Sequence, residues 1–225
     1  MNSPAQPITI DLDDGQTVSG LLLVPERPTC VFVFAHGAGA GMHHAFMSAF
    51  ANGLAERGIG TLRYQFPYME KGSKRPDSPK VAQAAVRAAV VEASRRIPGP
   101  PLIAGGKSFG ARMTSQAQSV SALPAVVGLA FVGFPLHPAG KPSIERADHL
   151  SGVGVPMLFL QGTRDELADL GLLEPVTQRL KPLATVHLFN DADHSFHVRA
   201  KSGQTDAQVM ASMLDAFAAW ASTLV

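Results

Sequence analysis

Three side chains at distant positions have the types needed to make a hydroxyl attack a carbonyl. Ser108 stands in "GGKSFGARM", Asp165 in "QGTRDEL" and His194 in "DADHSFH". A serine hydroxyl is a poor nucleophile until a base takes its proton, and that base works best when an acid orients it and stabilises its charged form. Gly106-Lys107-Ser108-Phe109-Gly110 has the G-x-S-x-G spacing of a sharp strand-to-helix turn. Its glycines answer a steric need: the serine takes a strained backbone conformation, and side chains beside it would collide with neighbouring elements. The following helix would present free N–H groups and its positive end to developing negative charge. The same pentapeptide also reads as a glycine-rich turn with an N-capping serine, so partners must decide.

Lys107-Ser108 also ends like a phosphate-binding loop. That motif needs glycine five positions before Gly106, and Pro101 stands there. The preceding "PLIA" has strand character, leaving no room for a loop that wraps phosphates. The stretch "HGAGAGMHH" fails the dinucleotide spacing too. From Gly37 the third glycine falls on Met42, and from Gly39 on His44.

The serine reading requires the chain order serine, acid, histidine, with acid and histidine each just past a strand. Asp165 follows "VPMLFLQG" and His194 follows "ATVHLFN", so order and placement both fit. Glu166 suits the start of a helix, where an acid meets the dipole. Asp148 lies in an irregular connection and Asp169 inside a helical pattern. His197 is the rival base, and His187 sits within a strand pattern. Asp191, Asp193, His194 and His197 could form a metal cluster, but no distant set of ligands joins them, and the two aspartates read equally as a solvated turn. No metal and no cofactor is expected. An oxyanion needs two aimed N–H groups, one from the residue after the nucleophile and one from the loop after the third strand. These are Phe109 and Ala38, with His36 organising the loop.

The elements that must position these groups alternate. "ITIDL" and "TVSGLLLVP" flank an Asp-Gly turn as a hairpin. "CVFVFA" reads as a strand buried on both faces. A helix follows from about His43 to Arg57, then the strand "GIGTLRYQF". A long alanine-rich helix has Ser78 at its N-cap and Pro79 in its first turn. Then come "PLIAGG", a helix from Ser108 to about Val120, "AVVGLAFVGF", "VPMLFLQG", a helix over roughly Glu166 to Leu180, and "ATVHLFN". The last helix carries Met210, Met213, Leu214 and Phe217 on one face, as core. This is an α/β pattern: a mostly parallel sheet of about eight strands with helices on both faces, in one domain over residues 1–225. "PLHPAGKPSIERADHLSGVG" is the only long irregular connection and is too short for a separate lid domain.

Composition narrows the class. Charged residues are 16% and hydrophobic residues 46%, the balance of a chain that buries a core. A net charge of +1 gives no electrostatic footprint for nucleic acid or an anionic membrane. The apolar runs are too short to span a bilayer, and the N-terminus lacks the basic and apolar regions of a secretory signal. Cys30 is the one cysteine, so no internal disulfide forms, which fits a reducing, cytoplasmic setting.

Taken together, "FAHGAGAGMHH", "RYQFPYMEKG", "GGKSFGARM", "GFPLHPAGKP", "QGTRDEL" and "DADHSFH" resemble the α/β-hydrolase superfamily over essentially the whole chain. The resemblance is to small bacterial hydrolases related to dienelactone hydrolases, whose eukaryotic relatives include a testis-expressed protein and a histone acetyltransferase complex subunit. It implies a Ser108-Asp165-His194 triad. Dienelactone hydrolases proper use cysteine as nucleophile, and this chain has serine there. Matching segments near the strand ends add candidate substrate-binding residues. Arg63, Phe66 and Tyr68 follow the fourth strand, and Phe134 and His137 follow the sixth. Each reads equally as structural, through an ion pair or packing. "KGSKRPD" is a solvated basic loop that could also attract an anionic substrate. The expectation is a serine hydrolase acting on small carboxylic esters or thioesters, with a small-molecule substrate. The alternative is a non-catalytic interaction scaffold on the same fold.

Overall fold

A computed structural model of the chain describes residues 4–224. β1 (Gln6–Asp11) and β2 (Thr17–Leu23) form the expected antiparallel hairpin, and β2 continues antiparallel onto β4 (Ile59–Tyr64). β3 (Cys30–Ala35), β5 (Leu102–Lys107), β6 (Val126–Val132), β7 (Met157–Gly162) and β8 (Ala184–Phe189) complete an eight-stranded sheet in the order β1-β2-β4-β3-β5-β6-β7-β8. From β4 to β8 every pairing is parallel.

Strand order explains where a site can form. After β3 the chain moves outward to β4, and after β5 it moves outward to β6, on the opposite side. The loops leaving β3 and β5 therefore part from one another. A crevice opens at their C-terminal ends, where open α/β sheets bind ligands. The loop leaving β3 is "HGAGAG", and the turn leaving β5 contains Ser108.

All six residues of β3 are buried, and their alternation feeds two separate core layers. Val31, Val33 and Ala35 join the face covered by α3 (Pro79–Arg96) and α4 (Phe109–Val120). Phe32 and Phe34 join the face covered by α1 (Ala45–Ala55) and, at the C-terminus, α6 (Asp206–Ala221), where Phe50, Leu214 and Phe217 meet them. Alanines 82, 85, 89 and 93 are buried on α3 and let that helix approach the sheet closely. The core face of α6 includes Val209 and Trp220, while Met210 is only partly buried. A short helix α2 (Pro67–Glu70) follows β4.

One expected N-cap makes no capping bond, and one helix starts later than expected. Ser78 stands at the N-cap of α3 beside Pro79, yet its side chain makes no capping bond. The helix expected from Glu166 begins later, as α5 (Leu170–Arg179), capped by Asp169. Residues 166–169 form a turn instead, closed by the Ala168 N–H on the Asp165 carbonyl at 3.1 Å. The long connection after β6 carries a 3-10 stretch, Glu145–Gly152, packed on α4 through Gln118 and Ser115. Among the described residues no lid domain is inserted, and no helix is long and apolar enough to cross a membrane. Cys30 is buried in β3, and burial pushes its thiol up to about 11, so it packs as a small apolar group.

Candidate active site

Ser108 joins β5 to α4 with φ 50° and ψ −110°, a conformation an L-residue adopts only under constraint. The constraint comes from Ala35 at the end of β3. A Cβ on Gly106 would stand 2.5 Å from the Ala35 carbonyl oxygen, and one on Gly110 would stand 2.6 Å from it. Only glycine fits at these two positions, two residues before and two after the serine. The Ser108 N–H is held by the Val132 carbonyl at 3.1 Å.

The structure brings Ser108, His194 and Asp165 together. His194 Nε2 lies 2.8 Å from Ser108 Oγ, and His194 Nδ1 lies 2.7 Å from Asp165 Oδ2. With Asp165 ionised, Nδ1–H donates to the carboxylate, leaving the Nε2 lone pair to accept the serine proton. The carboxylate is fully buried and well supplied. Its Oδ2 also accepts from Gln161 Nε2 at 2.6 Å, and its Oδ1 accepts the Leu167 N–H at 2.8 Å. The Asp169 N–H goes to His137 Nε2 at 2.9 Å rather than to the Asp165 carbonyl, so the chain turns here instead of continuing as a helix from Glu166.

The loop bearing His194 is shaped by its own acids. Asp193 Oδ1 accepts the N–H groups of Ser195 and His197 at 2.8 and 3.0 Å. Asp191 takes φ 58° in a turn and donates its N–H to Thr163 Oγ1. His197 turns outward to Asp206 at 2.9 Å, which holds its ring above the ordinary value. It is paired away from Ser108. Among the described residues no three His, Cys, Asp or Glu side chains converge as a metal cage.

Lys107 had no role in the sequence reading beyond filling the elbow's variable position. Its Nζ donates to the His194 carbonyl at 2.5 Å and sits 5.5 and 5.2 Å from the ring centres of Phe46 and Phe196. Burial lowers its ammonium to about 8, against the opposing pull of Asp165 and Asp193. Gln161 is a second supporting residue that sequence reasoning missed. Its Oε1 accepts the Phe134 N–H at 3.0 Å, so it ties β7 to the loop after β6 as well as to Asp165.

Ala38 and Phe109 both border Ser108. Neither N–H is donated to another group among the described residues, so both are free to face an oxyanion. The loop carrying Ala38 is tied down by His36, which is fully buried, accepts the Phe66 N–H on Nε2 at 3.0 Å and contacts the Gly37 carbonyl with Nδ1. Burial lowers that ring to about 4, so it is neutral at pH 7.

The five residues read as substrate-binding candidates take supporting positions rather than lining the cleft. Arg63 is buried and donates to the Met42 carbonyl and Ser48 Oγ, making hydrogen bonds where an ion pair was the structural alternative. Phe66 and Tyr68 pack edge-on against Phe109, and the Tyr68 hydroxyl accepts the Gly39 N–H at 3.1 Å. Phe134 is fully buried against Phe131 and Phe159. His137 Nε2 accepts the Asp169 N–H at 2.9 Å, bracing the turn that feeds Asp165. Arg63 lies within β4 and not past it, and the segments after β4 and β6 turn the other four inward. The recess at Ser108 and His194, about 360 Å³, is walled instead by Ala40, Phe46, Met47 and Leu167.

This sheet, with a serine elbow at its crevice, defines an α/β hydrolase. The chain belongs to the family described as alpha/beta hydrolase domain, whose model matches residues 28–222. Solved structures share the fold at low identity. A dienelactone hydrolase from Anabaena variabilis superposes with a TM-score of 0.78 at 16% identity, covering 99% of this chain and 100% of that one. An α/β serine hydrolase without lid from Xanthomonas campestris gives 0.75 at 21% identity, covering 98% and 96%. An esterase domain from Rhodothermus marinus gives 0.73 at 17% identity, covering 97% and 98%.

Proposed function

We propose that this chain, as a single domain, is a serine hydrolase that cleaves small carboxylic esters or thioesters through an acyl-enzyme. The observation that carries the reading is the unbroken chain of short contacts from Ser108 Oγ through His194 to Asp165. In the first half-reaction Ser108 Oγ bonds to the substrate carbonyl carbon as its proton passes to His194 Nε2. The oxyanion is received by the Ala38 and Phe109 N–H groups. The tetrahedral centre then collapses, the bond to the leaving oxygen or sulfur breaks, and His194 returns the proton to it. Water repeats the sequence on the acyl-enzyme, releasing the acid and restoring Ser108. Asp165 holds the imidazole in one tautomer and stabilises its charged form. These steps draw on protein groups and water alone.

The mostly apolar recess of about 360 Å³ favours a small substrate with a short acyl chain. A soluble metabolite-sized ester in the cytoplasm is the substrate class this reading implies, with neither nucleic acid nor membrane as partner. The experiment is labelling with a neutral fluorophosphonate, with Ser108→Ala as control. Label on the wild type and not on the variant is expected, and equal labelling of both would sink the assignment. A chain-length series of nitrophenyl esters should show activity falling toward long acyl chains.

A further inference from the structure

A second recess of about 270 Å³ also opens on Ser108. Its walls include Phe109, Pro135 and Pro138, and its charged groups are Arg112 and Arg146. Arg112 lies four residues beyond the serine on α4, so it rises from the same helical face one turn on. Arg146 comes from the 3-10 stretch that packs against that helix. No acid lines this recess.

Both guanidinium groups lack a protein counter-charge. Among the described residues neither has a carboxylate within ion-pair distance. Arg112 Nε is buried with no hydrogen-bond partner at all. Arg57 pairs with Asp215, Arg95 and Arg96 pair with Glu92, and Arg87 donates to the Ala117 and Ser121 carbonyls; Arg63 Nε is also buried without a partner, but the Met42 carbonyl and Ser48 Oγ hold that guanidinium through Nη1. Burial lowers both Arg112 and Arg146, and the charge of Arg146 lowers Arg112 further. His149, next to them, is kept neutral with its ring lowered to about 4 by burial and by Arg112. Two like charges held half-buried beside each other destabilise a fold unless something of opposite sign completes them. A local rule broken beside a reactive centre points to a ligand that restores it.

We propose that this second recess is an anion subsite for a carboxylate carried by the substrate, so that Ser108 acts on esters or thioesters of molecules bearing a further, free carboxylate. The proposal rests on the reading of Ser108 as nucleophile. A carboxylate is the matching anion because two planar guanidinium forks present paired N–H donors to a planar two-oxygen group. The recess adjoins Ser108 directly, so the charge sits within a few bonds of the scissile carbonyl. The mostly apolar first recess, with Lys107 on its wall, holds the other half of the molecule.

The test compares matched substrates. Mono-4-nitrophenyl adipate against 4-nitrophenyl hexanoate places the carboxylate in the acyl part. 4-Carboxyphenyl butyrate against phenyl butyrate places it in the leaving group. After subtraction of uncatalysed hydrolysis, wild type should favour the charged member of one pair in kcat/KM by about tenfold to a hundredfold, the range of a charge-assisted hydrogen bond. That ratio should collapse in Arg112→Gln and in Arg146→Gln and partly survive in Arg112→Lys. The pair that shows the preference tells which side of the ester bond occupies the subsite. A ratio at or below one in both pairs, or a ratio that both glutamine variants leave intact, overturns the subsite. Arg146→Gln, at a half-exposed position, serves if Arg112→Gln does not fold. Fluorophosphonate labelling separates the two readings: labelled protein without carboxylate preference removes the subsite alone. Should wild type neither label nor turn over any ester, the nucleophile reading fails, and adipate titrated onto Ser108→Ala judges the subsite. Saturable binding abolished by adding Arg112→Gln or Arg146→Gln supports it, and no binding removes it.

Discussion

Gln161 donates its side-chain amide, at 2.6 Å, to the oxygen of Asp165 that also accepts from His194. One carboxylate oxygen thus serves both an orienting group and the imidazole. The amide carbonyl of Gln161 is committed to the Phe134 N–H, so the glutamine cannot rotate without orphaning a buried donor. Gln161→Leu is expected to lower kcat on a nitrophenyl ester about tenfold with little change in KM, because it loosens Asp165 without touching substrate. Stability should fall by roughly 1–3 kcal/mol from the unpaired donor. A change confined to KM would show that Gln161 acts on substrate and not on the acid.

The strain at Ser108 separates stability from activity. Its φ of 50° is forced by the packing of Gly106 and Gly110 on Ala35. Strain of this kind costs about 1–3 kcal/mol, and glycine relieves it at an entropic cost of roughly 0.5–1 kcal/mol. Ser108→Gly should therefore be inactive and more stable than wild type, by about 1 kcal/mol in urea unfolding. Ser108→Ala, inactive as well, should gain none of that. Equal stabilities of the two variants would mean that the backbone there is unstrained.

The framework of this site was legible in sequence wherever a residue type had to meet a fixed place in the chain order. Ser108 between two glycines, Asp165 past one strand and His194 past the next are such cases, and the fold gathers them. Support groups were not legible, because their partners come from segments with no pattern linking them. Lys107 at the end of β5 meets Phe46 of α1 and Phe196 of the loop after β8. Arg112 and Arg146 belong to segments with no sequence pattern in common, and only the docking of the 3-10 stretch on α4 makes them a pair. α5 starts later than expected because, although Glu166 suits a helix N-terminus locally, His137 from the loop after β6 takes both the Asp169 N–H and the Leu167 carbonyl. His137 and Phe134 lie near the site as their strand-end positions implied, but turn geometry sends one to Asp169 and the other into the core.

Acid should weaken the fold through two histidines. His36 and His149 are lowered from 6.5 to about 4, in each case chiefly by burial. Between those values the unfolded chain binds more protons than the folded one, so stability rises with pH. Their contribution is complete above pH 6.5 and is lost as pH falls toward 4. Urea midpoints taken at pH 7 and pH 5 should show the drop, and His149→Gln should shrink it. A drop of the same size in that variant would place the acid sensitivity elsewhere.

Lys107 should give stability and activity opposite slopes in alkali. Its ammonium is lowered from 10.5 to about 8, so between these values the folded protein holds fewer protons than the unfolded chain. By linkage, stability then rises with pH across that window. Activity responds the other way. The bond from Nζ to the His194 carbonyl is charge-assisted only below about pH 8, and its neutral form is weaker, so the loop presenting the imidazole is held less firmly above it. Wild-type kcat should fall about twofold to tenfold as pH passes through that value, while the urea midpoint climbs. Lys107→Met, which fills the space between Phe46 and Phe196 without a donor, should start from a lower kcat and show neither slope. Lys107 is a positioning residue that also lines the first recess, so the loss of the pH dependence of kcat, not KM, is the diagnostic reading. If Lys107→Met keeps the alkaline fall in kcat, some other group titrates there and the ammonium does not hold the His194 loop.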